Sequence, residues 1–168
     1  DDNTVAMVVS DNGGTNKEVD NNLPFFAPKT TFYEGGIRTP LIIRWPGEVQ
    51  PGTVADEVVT YLDYFPTFAD IAQIEPPADV RGISIFDILN KKVERFSNVY
   101  WEASKSIRHS WSILSSDGRW RLGQYFFGEP QRNDLFEYPN GDTDVVERYP
   151  VMTSGLREDF MQWRLKER

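Results

Sequence analysis

The apolar run Val5-Ala-Met-Val-Val9 breaks off directly into Ser10-Asp-Asn-Gly-Gly14. An unbroken apolar, β-branched run of this length is the signature of a short strand covered on both faces; a half-exposed strand would alternate. A strand of that kind needs packed layers on either side, so an α/β fold is expected. The Ser10–Gly14 stretch is open to two readings. Asn-Gly and Gly-Gly are ordinary turn formers, which makes the stretch a turn. An acid and an amide at the carboxyl end of a buried strand also occupy the place where parallel α/β sheets bind ligands.

Asp11–Lys29 is polar and rich in Asn, Gly and Pro, hence a long loop, and loops of that length in compact domains are usually functional or disordered. Leu41-Ile-Ile-Arg-Trp45 is a second buried-strand candidate, stopped by Pro46-Gly47. Helical spacing runs from Val58 to Ile74, with Val58, Leu62, Phe65, Phe68, Ala69 and Ala72 on one inward stripe. Asp63 and Pro66 open the main helix, and Pro76-Pro77 ends it. A short helix is expected over Ser84–Leu89, before the charged stretch Asn90–Arg95.

Beyond that boundary the pattern turns to antiparallel β. Val99–Glu102, Trp111–Ser115 and Trp120–Phe126 are aromatic-rich strands, and Ser116-Asp-Gly-Arg119 is a natural hairpin between the last two. Asp134–Tyr138 adds an edge strand. Val151–Lys166 reads as a closing amphipathic helix with Leu156, Phe160, Met161 and Trp163 inward. The expected division is therefore 1–95, carrying sheet strands and a helix, and 96–168, a small antiparallel sheet with a packing helix.

Composition narrows the function classes. The 168 residues are 39% hydrophobic and 14% aromatic, enough for a packed core. A net charge of −8 argues against nucleic acid as a partner. The chain has no cysteine, which removes disulfides, thiolate metal sites and a cysteine nucleophile. No apolar run reaches the roughly 18 residues needed to span a membrane, and no signal peptide opens the chain. The start, Asp1-Asp-Asn-Thr4 leading straight into a strand, reads as that of a fragment or a processed chain.

By residue type, Asp11 and Asn12 offer hard oxygen donors suited to Ca²⁺ or Mg²⁺, but such ions take about six or more oxygens. Two neighbours are part of a shell. Glu34-Gly-Gly36 reads as architectural, its glycines marking positive φ or close backbone approach; Glu34 can bond backbone amides or orient Lys29. Arg38 and Arg44 are expected to pair with carboxylates. His109, the one histidine, is open between general acid, sugar contact and plain surface residue. Trp101, Trp111, Trp120 and Tyr125 can stack on sugars, yet alternation in strands favours a core role.

Taken in order, the motifs resemble one family. "SDNGG", then Lys29 five residues ahead of "EGGIRTPLIIRWPG", resembles the type I, formylglycine-dependent sulfatases of the alkaline-phosphatase-like superfamily. "LDYFPTFADIAQI" is similar to that family's Asp-x-x-Pro-Thr helix and "VRGISIFDIL" to its Gly-Arg-Ser-Leu segment. "DGRWRLG" and "NDLFEYPNGDTD" resemble its C-terminal hairpin and Leu-Tyr-Asp strand. The resemblance covers nearly the whole chain but only the C-terminal portion of such an enzyme.

It implies the C-terminal part of an alkaline-phosphatase-like sandwich followed by a small antiparallel sheet with a packing helix. It implies Asp11 and Asn12 as ligands of Ca²⁺ (or Mg²⁺), and Lys29 as a catalytic, sulfate-contacting cation. Sulfuryl transfer spreads charge over several oxygens, so fixed cations supply much of the catalysis. Arg108, in a subdomain that borders the substrate pocket, is a candidate substrate-anion contact. His109 beside it is the weaker substrate-binding candidate and matches none of the family's histidine motifs. The implied reaction is hydrolysis of a sulfate ester, of a sulfated carbohydrate, in a periplasmic or secreted setting.

No Cys/Ser-x-Pro/Ala-x-Arg motif occurs, so the formylglycine nucleophile is expected upstream, in the remainder of the sulfatase chain. The segment alone is expected to be inactive. Two alternatives stand beside this reading: a non-catalytic binding module derived from the fold, and a phosphatase or phosphonate hydrolase of the same superfamily.

Overall fold

A computed structural model describes residues 2–15, 22–93, 95, 97–105, 108–125, 132–137 and 144–167. The middle of the loop expected over 11–29, and the expected strand ends at Phe126 and Tyr138, lie outside the described residues.

The first sheet is a single pair. Strand β1 (Ala6–Val9) lies antiparallel to β2 (Leu41–Arg44), with Ala6 opposite Arg44 and Val9 opposite Leu41. Between them a single helical turn, α1 (Glu34–Ile37), delivers the chain to β2. This corrects two expectations. The pairing is antiparallel, not parallel, and the strands are not covered on both faces. Val8 and Ile42 are directly opposite each other, share one face, and are 64% and 62% exposed. The cause is the missing second layer, since no described element lies over that face. On the other side Trp45 meets Phe86, ring centroids 5.0 Å apart.

The long helical stretch is shorter than its periodicity. A 3-10 turn (Tyr61–Asp63) feeds α2 (Tyr64–Ile71), and α3 (Ile85–Leu89) comes next. The expected inward stripe holds at Ala69 but is overturned at its large residues. Leu62, Phe65, Phe68 and Ala72 are exposed, while the buried face is Asp63, Pro66, Thr67 and Ala69. Hydrogen bonds decide this orientation. Asp63 accepts from the amides of Thr60 (2.6 Å) and Ile83 (3.0 Å) and forms a buried ion pair with Arg95. Thr67 Oγ1 accepts from the Ile85 amide at 2.9 Å, and Ser84 Oγ donates to Asp70 at 2.7 Å. A buried carboxylate must be paired and bonded or it costs several kcal/mol, so its partners fix which face turns in.

The second sheet is a four-stranded meander, β3 (Val99–Lys105), β4 (Arg108–Leu114), β5 (Trp120–Tyr125) and β6 (Arg132–Glu137), all antiparallel. The expected hairpin joins β4 to β5, closed by the Ser115 amide on the Trp120 carbonyl (2.8 Å), with Gly118 at φ 70°. Helix α4 (Pro150–Lys166) packs across this sheet with Pro150 in its first turn, as a proline without an N–H allows. Their core joins Trp111, Ile113, Trp120, Leu122 and Leu135 to Leu156 and Phe160. Trp111 stacks on Phe160 at 4.3 Å and Tyr100 on Trp163 at 4.8 Å. Met161 is the exception to the expected inward set; at 48% exposed it faces away, one position past Phe160. Alternation therefore reads Trp111 and Trp120 correctly as core.

Candidate active site

Three segments converge at the end of β1: residues 10–14, residues 22–29, and α1. Their backbones touch without intervening side chains. The Gly13 amide donates to the Gly36 carbonyl (3.1 Å), the Gly35 amide to Phe26 (2.8 Å), and the Lys29 amide to Gly14 (3.0 Å). A Cβ at Gly13 would sit 1.6 Å from the Gly35 oxygen, and one at Gly35 2.0 Å from the Ala27 oxygen. No side chain fits at either position. The glycines of both motifs are thus where two loops lie flush on α1.

That packing joins the lysine to the acid-amide pair. Lys29 hangs by its amide from Gly14, two residues beyond Asn12. Ala27 (φ 72°) and Thr30 (φ 74°) flank it in left-handed conformations, each costing on the order of 1–3 kcal/mol for such residues. Strain of this kind persists only where the surroundings over-determine it.

Asp11 is exposed and Asn12 half-buried. Ser10 Oγ donates to the Asn12 carbonyl (2.8 Å), and Asn12 Nδ2 to the Gly13 carbonyl (3.1 Å), so the Asn12 side chain keeps its oxygen for a ligand. Among the described residues, no hydrogen bond or ion pair engages the Asp11 carboxylate or the Lys29 ammonium. No cluster of three or more His, Cys, Asp or Glu side chains is found among the described residues either. The donor set accordingly fits part of a hard-cation shell and not a whole one. Asp11, Asn12, Thr30 and Arg38 line one broad groove, and Lys29 sits beside it as the neighbour of Thr30.

Glu34 is held elsewhere than on the lysine. Its carboxylate pairs with Arg38 (3.4 Å) and faces the Arg121 guanidinium (3.7 Å). Arg121, 1% exposed, donates to the Phe32 carbonyl and lies over the Phe136 ring at 4.7 Å. Tyr33 Oη donates to Asp134 at 2.9 Å. These contacts tie α1 to strands β5 and β6. Arg121 escapes a sequence reading because strand alternation assigns it the face opposite Trp120 and Leu122, which looks like solvent. Asn22 escapes it because an Asn before Leu-Pro reads only as turn chemistry. Arg108 and His109 pair by backbone with Lys105 and Ser104 in the β3–β4 ladder; their side chains lie outside the described part.

Residues 24–158 match the family model described as "N-sulphoglucosamine sulphohydrolase, C-terminal". The N-acetylgalactosamine-6-sulfatase of Sus scrofa is 38% identical over 91 residues, 52% of this chain and 17% of that protein. The matched stretch thus spans under a fifth of that relative's length. In three dimensions it resembles a protein solved in complex with its substrate D-glucosamine-2-N,6-O-disulfate, with TM-score 0.72, 20% identity and coverage of 97% of this chain and 34% of that one. It also resembles a phosphonate monoester hydrolase of Silicibacter pomeroyi, with TM-score 0.66, 21% identity and coverage of 98% and 35%. These two likenesses establish the fold, a mixed α/β arrangement that corresponds to about a third of each of those larger chains.

Proposed function

Because the chain belongs to the N-sulphoglucosamine sulphohydrolase C-terminal family, we propose that it forms one wall of a sulfatase active site that hydrolyses the sulfate ester of a carbohydrate. The observation that supports this reading is the hydrogen bond from the Lys29 amide to the Gly14 carbonyl, which ties the backbone of Lys29 to the segment that bears Asp11 and Asn12. In the whole protein, residues 1–95 act as the end of the catalytic α/β domain and 96–168 as the C-terminal subdomain.

In this reading Asp11 and Asn12 hold a divalent cation, Ca²⁺ or Mg²⁺. A bound cation supplies electrostatic stabilisation of the charge on the transferred group. Asp11 lowers the net charge of the site while Asn12 coordinates without adding an anion. Lys29 acts as a point charge with three donors, directed at sulfate oxygens whose charge grows in the transition state. The formylglycine nucleophile belongs to the remainder of the chain, so this segment by itself turns over nothing. Its exposed Val8, Ile42, Leu62, Phe65 and Phe68 form the apolar surface on which that remainder packs. Among the described residues no helix is long and apolar enough to cross a membrane, and the proposed setting is periplasmic or secreted.

The test is turnover by the whole protein of a sulfated glucosamine or galactosamine, with and without a chelator. Lys29→Ala is expected to lower kcat/KM by about a hundredfold or more, with stability held. Chelation is expected to abolish turnover and added Ca²⁺ or Mg²⁺ to restore it. Wild-type kcat/KM in Lys29→Ala would refute the assigned role. Turnover of a phosphonate monoester, with none of a sulfate ester, would transfer the chain to the phosphonate-hydrolase branch.

A further inference from the structure

The structure assigns Asn22 a positioning role: its side-chain amide sets the register of Lys29 against Asp11 and Asn12. Asn22 Oδ1 accepts from the Gly14 amide at 2.6 Å. Its Nδ2 donates to the Gly14 carbonyl at 3.1 Å and to the Ala27 carbonyl at 3.1 Å. Gly14 lies two residues after Asn12, and Ala27 two residues before Lys29. One side chain therefore bridges the two loops that carry the candidate site residues. The Gly14 carbonyl that it grips is the same atom that receives the Lys29 amide, at 3.0 Å.

Only a primary amide of this length does this. It needs one acceptor and two donors in a fixed fork. A carboxylate keeps the acceptor and loses both donors, and a hydroxyl is too short to reach two loops. The bridge also opposes a tendency to relax. Ala27 and Thr30 hold left-handed φ values on both sides of Lys29, and an unrestrained loop would leave them. The Ala27 carbonyl is fixed from both sides, by Asn22 Nδ2 and by the close approach of Gly35. Asn22 touches no reacting group in this scheme; it acts through Lys29.

The catalytic consequence rests on the sulfatase reading, whereas the bridge rests on geometry alone, and two measurements on the whole protein separate them. The first is amide hydrogen exchange in Asn22→Asp. The Lys29 amide is expected to exchange at least about tenfold faster while the core amides of Ile113 and Leu122 keep their protection. Unchanged protection at Lys29 overturns the proposal. Should Asn22→Asp lose core protection as well, Asn22→Gln, neutral and one methylene longer, carries the same comparison.

The second is a double-mutant cycle on sulfate-ester turnover. Asn22→Asp alone is expected to lower kcat by about tenfold to a hundredfold with KM nearly unchanged. In the Lys29→Ala background it is expected to add no further loss, because two residues acting as one unit are not additive. Losses that multiply would show Asn22 acting apart from Lys29 and overturn the positioning role. If the wild-type protein cleaves no sulfate ester, the sulfatase reading fails and exchange at the Lys29 amide decides the bridge.

Discussion

Helices α2 and α4 are both amphipathic in sequence, yet they turn opposite faces inward. On α4 the apolar residues do the packing: Leu156 and Phe160 are buried against the four-stranded sheet. On α2 the apolar residues Phe65 and Phe68 are exposed, and the helix is anchored instead through Asp63 and Thr67, both fully buried. The sheets differ in the same way. The β3–β6 sheet has a closed aromatic core on one face, and the β1–β2 pair leaves Val8 and Ile42 open. An apolar stripe says that a surface is to be covered. It does not say that the cover lies within the same stretch of chain.

Tests of this contrast run from core to surface. Phe160→Ala is expected to cost about 3–5 kcal/mol, since it removes a fully buried ring stacked on Trp111. A chemical-unfolding midpoint within error of wild type would contradict the closed core. Arg95→Ala is expected to cost about 3 kcal/mol by leaving Asp63 buried and unpaired. Adding Asp63→Asn should recover part of that loss. If it recovers none, the anchor of α2 is not the ion pair.

The exposed face makes the most direct test of the proposed packing. Phe65→Ser and Phe68→Ser should each cost about 1.5–3 kcal/mol in the whole protein, as buried side chains do. Effects within about 0.5 kcal/mol would mean that the face stays in water there too.

The smallest effect lies in the β4–β5 hairpin. Partial burial pushes the Asp117 carboxyl up, but hydrogen bonds from Ser115 and the Arg119 amide, with the Arg119 charge, outweigh it and hold it below the usual range. The folded state thus favours the ionised form. Its contribution is fully present above the ordinary carboxyl value of about 4 and fades as pH falls through the lowered one. Wild type should exceed Asp117→Asn in stability at neutral pH, with the gap closing in acid below about pH 4. A gap that widens in acid would reverse the assigned direction.

Much of the second sheet is legible in the sequence because its signals are local. The Ser116–Arg119 turn, alternating aromatics and the Leu156/Phe160 spacing each need only neighbours in sequence, and they yield β4, β5 and α4. Met161 departs from the pattern because it lies a single position from Phe160, at an angle that spacing does not resolve. The first sheet departs from it in sense and coverage because both depend on what lies beside a strand, not on the strand. At the candidate site, Asp11, Asn12 and Lys29 are legible as residue types in a motif. Asn22 and Arg121 are not, since their importance lies wholly in contacts made across loops and sheets.

Local chemistry in the chain sets the placing of most strands and helices and the positions that must be glycine. Turn formation, capping and periodicity act over a few residues, and the paired motifs "SDNGG" and "EGG" carry their own steric demand. The three-dimensional arrangement alone makes those two motifs interlock, lets one amide bridge the loops between them, and turns Thr67 rather than Phe65 and Phe68 of α2 inward. Those outcomes depend on hydrogen bonds between distant segments. A buried carboxylate or amide takes whichever partners the fold brings within roughly 3 Å, and no local pattern records them.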